Sequence, residues 1–327
     1  MNGVNLDLFQ FEYDLTWMSF FMDADHRIYT RYGGRDDSDP ESHLNRESLL
    51  DAMRLSLALH KMDDAPRRRA NPKREPGRTP EQIPTMTTMM AKRKNKCIHC
   101  HDVKVATLKH LRNQGRLERD MVFTYPTPAN LGLVVDARRQ TRIKSVGKDS
   151  PATEAGIQPG DLIDQVAGRQ VRTFGDVSSI LNSLPASGRL NLTVRRDGRE
   201  TPVTLDLPAG WKRTTDPSWR ESLHVVGPNC GLWGRKLNGK ERQRLKLSSD
   251  KLALKVTFIW GPHTRKAGIR VGDVIVSLDG QTRNMNIKQL HAHPMLHRDW
   301  GDTIPVTIRR GNRTLDVRMT FPRTPPN

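Results

Sequence analysis

The feature of this chain that most limits its fold is an internal duplication. The segment at residues 153–168, TEAGIQPGDLIDQVAG, recurs at residues 265–280 as RKAGIRVGDVIVSLDG. Each copy is followed by a second turn signal, RDG at residues 196–198 and RGN at residues 310–312. Because an internal repeat of this kind is hard to obtain by chance, two copies of one structural unit are expected.

The first copy carries local signals for a mixed helix and strand order. Ser150 and Pro151 are typical of a helix start, and Gly156 is typical of a left-handed helix end. Gly160 and Asp161 then predict a turn into a strand. Further along, the pattern predicts a longer helix and a closing hairpin, with bounds 174–184 for the helix and 190–195 and 202–207 for the strands.

This order strongly resembles a bacterial PDZ domain of the kind attached to periplasmic proteases. The resemblance implies a groove between a strand and the longer helix, which takes an extended peptide as an added strand. It also implies that backbone N–H groups of the loop before that strand hold the terminal carboxylate of the peptide. In the first copy this loop resembles the Gly-Φ-Gly-Φ loop of the family, with Asn130 in place of the first glycine. The expected peptide-binding residues are Asn130, Leu131, Gly132 and Leu133, and the expected partners are protein or peptide C termini.

The second copy departs from the family pattern. The segment 230–234, CGLWG, could serve as its peptide-binding loop, but a charged insert follows at residues 235–251. We therefore expect this groove to be altered or blocked. The two PDZ domains are predicted at residues 128–210 and 222–323.

A C-x-x-C-H motif lies upstream of the repeats, as Cys97-Ile98-His99-Cys100-His101. This spacing is typical of covalent c-type haem attachment, in which two thiols bind the porphyrin and the following imidazole is the proximal iron ligand. We therefore predict one haem c on Cys97 and Cys100, with His101 as the proximal ligand. Met121 is the candidate sixth ligand, and an open sixth position is the alternative.

Two alternatives to haem remain for this motif. A structural zinc site needs four nitrogen or sulfur ligands, and only the two cysteines and one of the histidines are local. Thiols without a ligand, or thiols that form a disulfide, are the other alternative. A short amphipathic helix is predicted after the motif and ends near Gly115, so that residues 93–127 form a haem-attachment segment.

The start of the chain predicts a β-hairpin followed by a helix. Two apolar runs flank the acidic turn at residues 23–25, and apolar residues at helical spacing follow between Glu47 and Lys61. The stretch TWMSFFMDADHRIYTRYGG resembles the last part of a thioredoxin-like fold. Residues 1–64 are thus predicted as a partial thioredoxin-like segment whose first half lies upstream of Met1. The alternative is a small hairpin that packs against the other modules.

The positive charge of the chain is concentrated in one region. The net charge is +18, and residues 67–120 contain fifteen Lys or Arg against five acids. Four prolines interrupt the first half of this region, so residues 65–92 are predicted as a basic linker. A basic adaptor for nucleic acid or acidic surfaces would carry stacking aromatics or a recognisable reader helix. Neither is present, and nucleic-acid binding is disfavoured.

No run of 18 or more apolar residues exists, so no membrane span is expected. Residues 1–10 lack the basic start and apolar run of a signal peptide. Haem attachment would nevertheless place the protein in the periplasm or another extracytoplasmic compartment. We therefore expect that Met1 is not the true start of the protein.

No catalytic pattern was found, since G-x-S-x-G, H-E-x-x-H and G-x-x-x-x-G-K-[ST] are all absent. The protein is therefore predicted not to be an enzyme, unless redox chemistry occurs at the haem or in a thioredoxin-like part. His291, His293 and His297 lie close together on the predicted helix of the second copy. Exposed histidines beside or within the second groove are favoured over a metal site there, because no carboxylate or thiol accompanies them.

The predicted fold class is α+β and multidomain. It consists of two PDZ-like, partly open β-barrels with two helices each, after a partial thioredoxin-like segment and a small helical C-x-x-C-H segment. The whole arrangement resembles planctomycete-type thioredoxin-like/PDZ domain proteins. This implies an extracytoplasmic protein that binds peptides, with a haem-linked redox or sensing role and a redox partner. The alternatives are a metal-free PDZ scaffold and the basic adaptor.

Overall fold

The computed structural model describes residues 1–62, 77–91 and 93–325. Residues 65–76 and 92 of the predicted linker lie outside this range. The described residues within 1–110 and 123–217 form one compact unit, and those within 111–122 and 218–325 form a second. The fold is α+β and multidomain as predicted, but the N-terminal segment and most of the C-x-x-C-H segment belong to the same unit as the first repeat. None of the described helices is long and apolar enough to cross a membrane.

The first unit begins with the predicted hairpin and helix. Strands β1 (Met18–Met22) and β2 (Ile28–Gly33) pair antiparallel, with Met18 opposite Gly33. Helix α1 (Arg46–Lys61) begins after Asn45, whose side chain accepts hydrogen bonds from the N–H groups of Glu47 and Ser48. This cap satisfies two of the N–H groups that a helix start leaves unpaired, which fixes where α1 begins.

Two helices surround the C-x-x-C-H motif. Helix α2 (Pro84–Ala91) lies inside the predicted linker, so the linker prediction is wrong for these residues. Proline is tolerated at the first turn of a helix, and Met86 and Met90, one turn apart, are both buried against Ile98 and Val103. Helix α3 (Cys100–Asn113) is the amphipathic helix that was predicted after the motif.

The first repeat supplies the largest core of this unit. Its elements are β3 (Leu133–Val135), β4 (Ile143–Val146), α4 (Pro151–Glu154), β5 (Leu162–Val166), β6 (Arg169–Gln170), α5 (Phe174–Ser183), β7 (Gly188–Arg196) and β8 (Arg199–Leu207). Strand β3 pairs with β4, and a second sheet has the order β6-β5-β7-β8. The core between these sheets and α5 includes Leu131, Ile143, Leu181 and Trp211.

The second repeat has the same order of strands and helices, except that it adds one helix and, among its described residues, has no strand that corresponds to β6. Its elements are β9 (Leu232–Lys236), α6 (Gly239–Arg244), β10 (Leu254–Ile259), α7 (Pro262–Lys266), β11 (Val274–Leu278), α8 (Ile287–His297), β12 (Thr303–Arg310) and β13 (Arg313–Thr320). They form one sheet in the order β13-β12-β11-β10-β9. The added helix is α6, which lies in the charged insert. It follows Leu237, and this buried side chain packs against Ala253 and Val274.

The duplication extends to an ion pair between a buried aspartate and a partly exposed arginine. In the first repeat, Arg196 binds Asp161 through Nε at 2.8 Å and Nη2 at 2.7 Å, and it also donates to the carbonyl of Gly156. In the second repeat, Arg310 binds Asp273 in the same two-pronged way at 2.8 Å for each bond. The planar guanidinium matches a carboxylate in this geometry, so the same pair fixes the Gly-Asp turn in both copies.

The hairpin packs against helix α5 of the first repeat. Asp176 on α5 accepts hydrogen bonds from Thr30 Oγ1 at 2.6 Å and from the N–H of Arg31 at 2.9 Å. Thr173 donates its hydroxyl to the carbonyl of Arg31. In the described residues the hairpin forms a sheet of two strands. This arrangement matches the alternative prediction of a small hairpin that packs against another module.

Candidate functional site

The candidate groove of the first repeat lies along strand β3. Among the described strands β3 pairs only with β4, so the other edge of β3 carries no strand. A cavity of about 440 Å³ borders Leu133, Val134 and Val135, with Phe174 of α5 also in its lining. Because an unpaired strand edge presents backbone N–H and C=O groups, an extended peptide could pair with β3 here.

The segment 36–43, which follows the hairpin, contributes a further wall of this groove. The ring of His43 stacks on Phe174 with centroids 3.8 Å apart, and His43 Nε2 lies 2.7 Å from Asp36 Oδ2. Gln140 donates to the carbonyl of His43 and accepts from the N–H of Phe174. Sequence reasoning missed this wall, because His43 lies 97 positions from Gln140 and 131 positions from Phe174, the residues that it contacts.

The groove wall of the first repeat carries carboxylates. Burial alone would raise the pKa of Asp36, but hydrogen bonds from His43 and Ser38 lower it to about 2. Burial and the neighbouring charge of Asp36 raise the pKa of Asp37. Lys144 lies in the same lining. The groove therefore presents both signs of charge, although the chain as a whole is strongly basic.

The predicted peptide-binding loop lies at the end of this groove. The side chain of Asn130 is buried and donates to the carbonyl oxygens of Trp211 and Lys212, at 3.3 and 3.1 Å. Gly132 adopts the left-handed conformation with φ of 85°, and its N–H donates to the carbonyl of Ala129 at 3.0 Å. The side chain of Asn130 thus anchors the loop to residues 211 and 212. Because this side chain is already engaged, a terminal carboxylate would have to bind backbone groups of the loop.

The second repeat has a groove of different composition. A cavity of about 230 Å³ is lined by residues 218–224 and by residues of β9 and α8. Its lining contains three tryptophans, Trp219, Trp233 and Trp260. The indoles of Trp233 and Trp260 meet edge to face at 5.7 Å and are about half exposed.

His291 of α8 occupies the inner end of this groove. Its Nε2 donates to the carbonyl of Leu232 at 2.9 Å, and its Nδ1 accepts from the N–H of Cys230 at 3.2 Å. Burial lowers the pKa of His291 to about 4, so the imidazole is neutral near pH 7. The prediction of an exposed histidine is wrong for His291, which is 8% exposed, because α8 turns this side of the helix towards the loop.

The other two histidines of α8 form separate contacts. His293 Nε2 lies 2.9 Å from Asp279 Oδ2, and the rings of His293 and His297 lie 5.0 Å apart. The charged insert 235–251 packs elsewhere, through Leu237 and through the ion pair of Arg235 with Glu241 at 2.6 Å. The lining of the second groove comes from other segments. The expectation that the charged insert alters or blocks this groove is therefore wrong.

The C-x-x-C-H residues lie at the start of α3. Cys97 is exposed, Cys100 is half-buried, and both are free thiols. Burial raises the pKa of the Cys100 thiol. The side chain of His101 is 40% exposed and stacks on His99 at 5.6 Å. Met121, the candidate sixth ligand, is half-buried and belongs to the other unit.

The described part of the chain shows no further zinc ligands grouped with the C-x-x-C-H residues. There, no group of three or more His, Cys, Asp or Glu side chains is arranged so that it could hold a metal ion. Cys230 is buried within the core of the second repeat, where burial strongly raises the pKa of its thiol.

Comparison with known families identifies the first repeat. The family model described as "PDZ domain" matches residues 142–196. The chain therefore contains a PDZ domain, and the structural match between the repeats extends the same element order to the second copy.

Curated relatives extend the similarity over a larger part of the chain. Periplasmic serine endoprotease DegP of Escherichia coli is 24% identical over 221 residues, which is 65% of this chain and 42% of that protein. A probable DegP-like periplasmic endoprotease of Marinomonas is 22% identical over 55% of this chain and 38% of that protein. The chain is thus related to periplasmic DegP-type proteases, and it spans less than half the length of these relatives.

Two further similarities are shorter or weaker. A putative zinc metalloprotease of Brucella suis is 46% identical over 85 residues, which is 26% of this chain and 22% of that protein. Among solved structures, the HtrA-type protease AlgWS227A with decapeptide is 14% identical, covers 52% of this chain and 51% of that chain, and has a TM-score of 0.28.

Proposed function

We propose that this protein is an extracytoplasmic peptide-binding protein that takes an extended peptide into the groove of its first repeat. The observation that carries the proposal is the unpaired edge of β3 beside a cavity of about 440 Å³ in a PDZ domain. An added strand would satisfy the free backbone groups of β3, and the side chains of the peptide would supply specificity. The named relatives are periplasmic, which supports a location outside the cytoplasm.

The groove favours a peptide that enters between two walls. On one side lies β3, whose Val134 side chain is 47% exposed, and on another lies the segment 36–43. Because this segment directly follows the hairpin, the N-terminal region contributes to the binding site through residues 36–43. Asp36, Asp37 and Lys144 would contact polar or charged side chains of the peptide.

The test uses the full chain and a labelled pool of decapeptides with apolar C-terminal residues, in free-acid and amidated forms. Fluorescence anisotropy measures the affinity. We expect Val134→Glu to weaken binding by at least about tenfold, because a buried charge would lie against the added strand. The matched control is Val271→Glu, since Val271 is an exposed valine of the second repeat, 64% exposed, and this change should leave binding unchanged.

Three results would decide the details. Equal binding of Val134→Glu and the original chain would refute the first groove as the peptide site. A preference for the free acid over the amide would support capture of a C terminus by the loop at Asn130, Leu131, Gly132 and Leu133. Equal affinity for both forms would instead indicate recognition of internal peptide segments.

A covalent haem on Cys97 and Cys100 is our second proposal. It is supported by the free thiols and by the exposed His101 one residue later on the first turn of α3. A redox or sensing role and a redox partner depend on this haem. The test is a pyridine haemochrome spectrum of protein that was produced with c-type maturation factors, with Cys97→Ser plus Cys100→Ser as the control. Absence of a covalent haem band in the unsubstituted protein would refute the proposal and leave the metal-free PDZ scaffold.

A further inference from the structure

The peptide-binding loops of the two repeats can be compared residue by residue. Gly132 and Gly231 are both left-handed, with φ of 85° and 61°, and each directly precedes the first strand of its repeat. The carbonyl oxygens of both glycines accept a hydrogen bond from a glycine N–H at 2.7 to 2.8 Å, from Gly147 and Gly261 respectively. The loop residue before Gly231 is Cys230, and the first strand residue after it is Leu232.

The long helices can be aligned in the same way. Helices α5 and α8 begin after Thr173 and Asn286, and the side chain of each cap accepts from the N–H three residues later. Five residues after the cap, α5 carries Ser178 and α8 carries His291. The hydroxyl of Ser178 donates to the carbonyl oxygens of Tyr125 and Pro126 at 3.1 and 3.0 Å.

His291 reaches the groups that a bound peptide would need. A peptide end in such a groove places an acceptor on the loop N–H groups and an N–H donor on the carbonyl of the first strand residue. In the second repeat the imidazole does both, because Nδ1 accepts from the N–H of Cys230 and Nε2 donates to the carbonyl of Leu232. The next loop N–H, that of Gly231, donates to Asn229 Oδ1 at 2.8 Å.

We infer that His291 determines the specificity of the second repeat by occupying its carboxylate-binding site from within the chain. A peptide C terminus would have to displace a buried imidazole that already satisfies both backbone groups. The peptide would only replace the two hydrogen bonds that the imidazole makes, so the loop would gain none. The displaced imidazole would also have to find new partners in water. The second repeat therefore rejects C-terminal peptides while its groove, with Trp219, Trp233 and Trp260, stays formed.

The surroundings of His291 support this assignment. Trp233 and Trp260 pack beside the imidazole with ring centroids at 6.2 and 5.8 Å. His263 Nε2 of α7 lies 3.0 Å from the carbonyl oxygen of Asn229, the residue before Cys230. Buried polar groups in a site of this kind need partners, and His291 and Asn229 provide them when no ligand is bound.

The test introduces at His291 the residue that the first repeat has in the same place. The inference rests on the proposed function, since it assumes that both repeats take peptides in the same way. The probe is the same labelled decapeptide pool with free C termini, and the full chain carries Val134→Glu so that the first groove is inactive. We expect His291→Ser to increase the affinity of this chain for the pool by at least about tenfold.

Two variants on the same helix serve as controls. His291→Gln retains one amide donor and one acceptor, so it is expected to keep the site closed. His293→Ser removes a histidine that contacts Asp279 instead of the loop, and it should gain no binding. Circular dichroism and thermal unfolding show whether each variant is folded.

The outcomes distinguish this inference from the proposed function. Tight binding by Val134→Glu with His291 intact, traced to the second repeat by quenching of Trp233 and Trp260, would overturn the inference. A folded His291→Ser variant without a gain would overturn it as well. If the first repeat never binds peptide but His291→Ser increases the affinity for the pool, the inference is supported and the proposed function of the first groove is refuted.

A measurement on the unsubstituted protein does not depend on the folding of any variant. The two hydrogen bonds of His291 require a proton on Nε2 and none on Nδ1. Long-range ¹H–¹⁵N correlation spectra of the histidine rings report this tautomer. Observation of the Nδ1-protonated form, or of rapid exchange between forms, would overturn the inference.

Discussion

The contact between the hairpin and helix α5 allows a quantitative prediction for Asp176→Ala. The buried carboxylate of Asp176 accepts three hydrogen bonds, from Thr30 Oγ1 at 2.6 Å, from the N–H of Arg31 at 2.9 Å and from the N–H of Arg172 at 3.2 Å. The first two donors belong to the hairpin. Alanine removes this acceptor from both, and the hydroxyl of Thr30, which is only 1% exposed, keeps only a long contact of 3.5 Å to the carbonyl of Arg31.

The magnitude follows from the cost of the two donors. Each buried donor that loses its partner costs about 1–3 kcal/mol. Burial raises the pKa of Asp176, which means that the carboxylate itself is costly to bury, and its removal offsets part of that loss. We expect the docking of the hairpin to weaken by about 3 kcal/mol, which corresponds to a roughly hundredfold increase in local opening.

Hydrogen exchange measured by mass spectrometry tests this expectation. Amides of β1 and β2 should exchange roughly a hundredfold faster in Asp176→Ala, because hairpin opening is a local event. Strands β7 and β8 should change less. The control is Asp206→Ala, since Asp206 faces Arg189 at 3.4 Å with both side chains 80% exposed, and such surface pairs contribute about 0–1 kcal/mol. Unchanged exchange in the hairpin of Asp176→Ala would refute the reasoning.

Three further predictions concern stability. Asp161→Ala and Asp273→Ala should each destabilise their own repeat by about 2 kcal/mol, as measured by hydrogen exchange, and clearly unequal effects would contradict the equivalence of the two ion pairs. Stability in urea should fall as the pH is lowered from about 6.5 towards 4, because the unfolded chain then binds a proton that neutral, buried His291 does not bind. His291→Gln should reduce this dependence of stability on pH, and an equal dependence in that variant would show that other groups cause it. Gly132→Ala should cost about 2 kcal/mol in thermal unfolding, because φ is 85° and the added Cβ would lie 2.2 Å from Ser150 Oγ, whereas a neutral effect would contradict the strained geometry.

Local signals in the sequence predicted most elements of the first repeat, and the recurrence of its core predicted a second copy. Ser150 caps α4 through the N–H of Thr153, Gly156 follows that helix with φ of 73°, and Gly160 turns the chain with φ of 99°. These features depend on residues within a few positions of one another, so they can be read without knowledge of the tertiary structure. The same holds for the hairpin at residues 18–33 and for helix α3.

The candidate sites were less predictable. Asn130 was assigned to peptide binding from its place in the loop, yet its side chain contacts the backbone of residues 211 and 212, which are more than eighty positions away. Helix α2 was assigned to a linker because its prolines and charged neighbours favour extended chain. Burial of Met86 and Met90 against residues beyond the C-x-x-C-H motif outweighs that preference.

The sequence by itself determined that this chain has two copies of one PDZ-like unit and where the helices and turns of the first copy lie. Only the tertiary structure decided which residues line each groove. The wall of the first groove needs His43 to stack on Phe174, and the second loop is occupied by His291, about sixty residues away from Cys230. Both contacts join residues that no local pattern connects, and they form only when the packing of a whole domain brings a helix and a loop together.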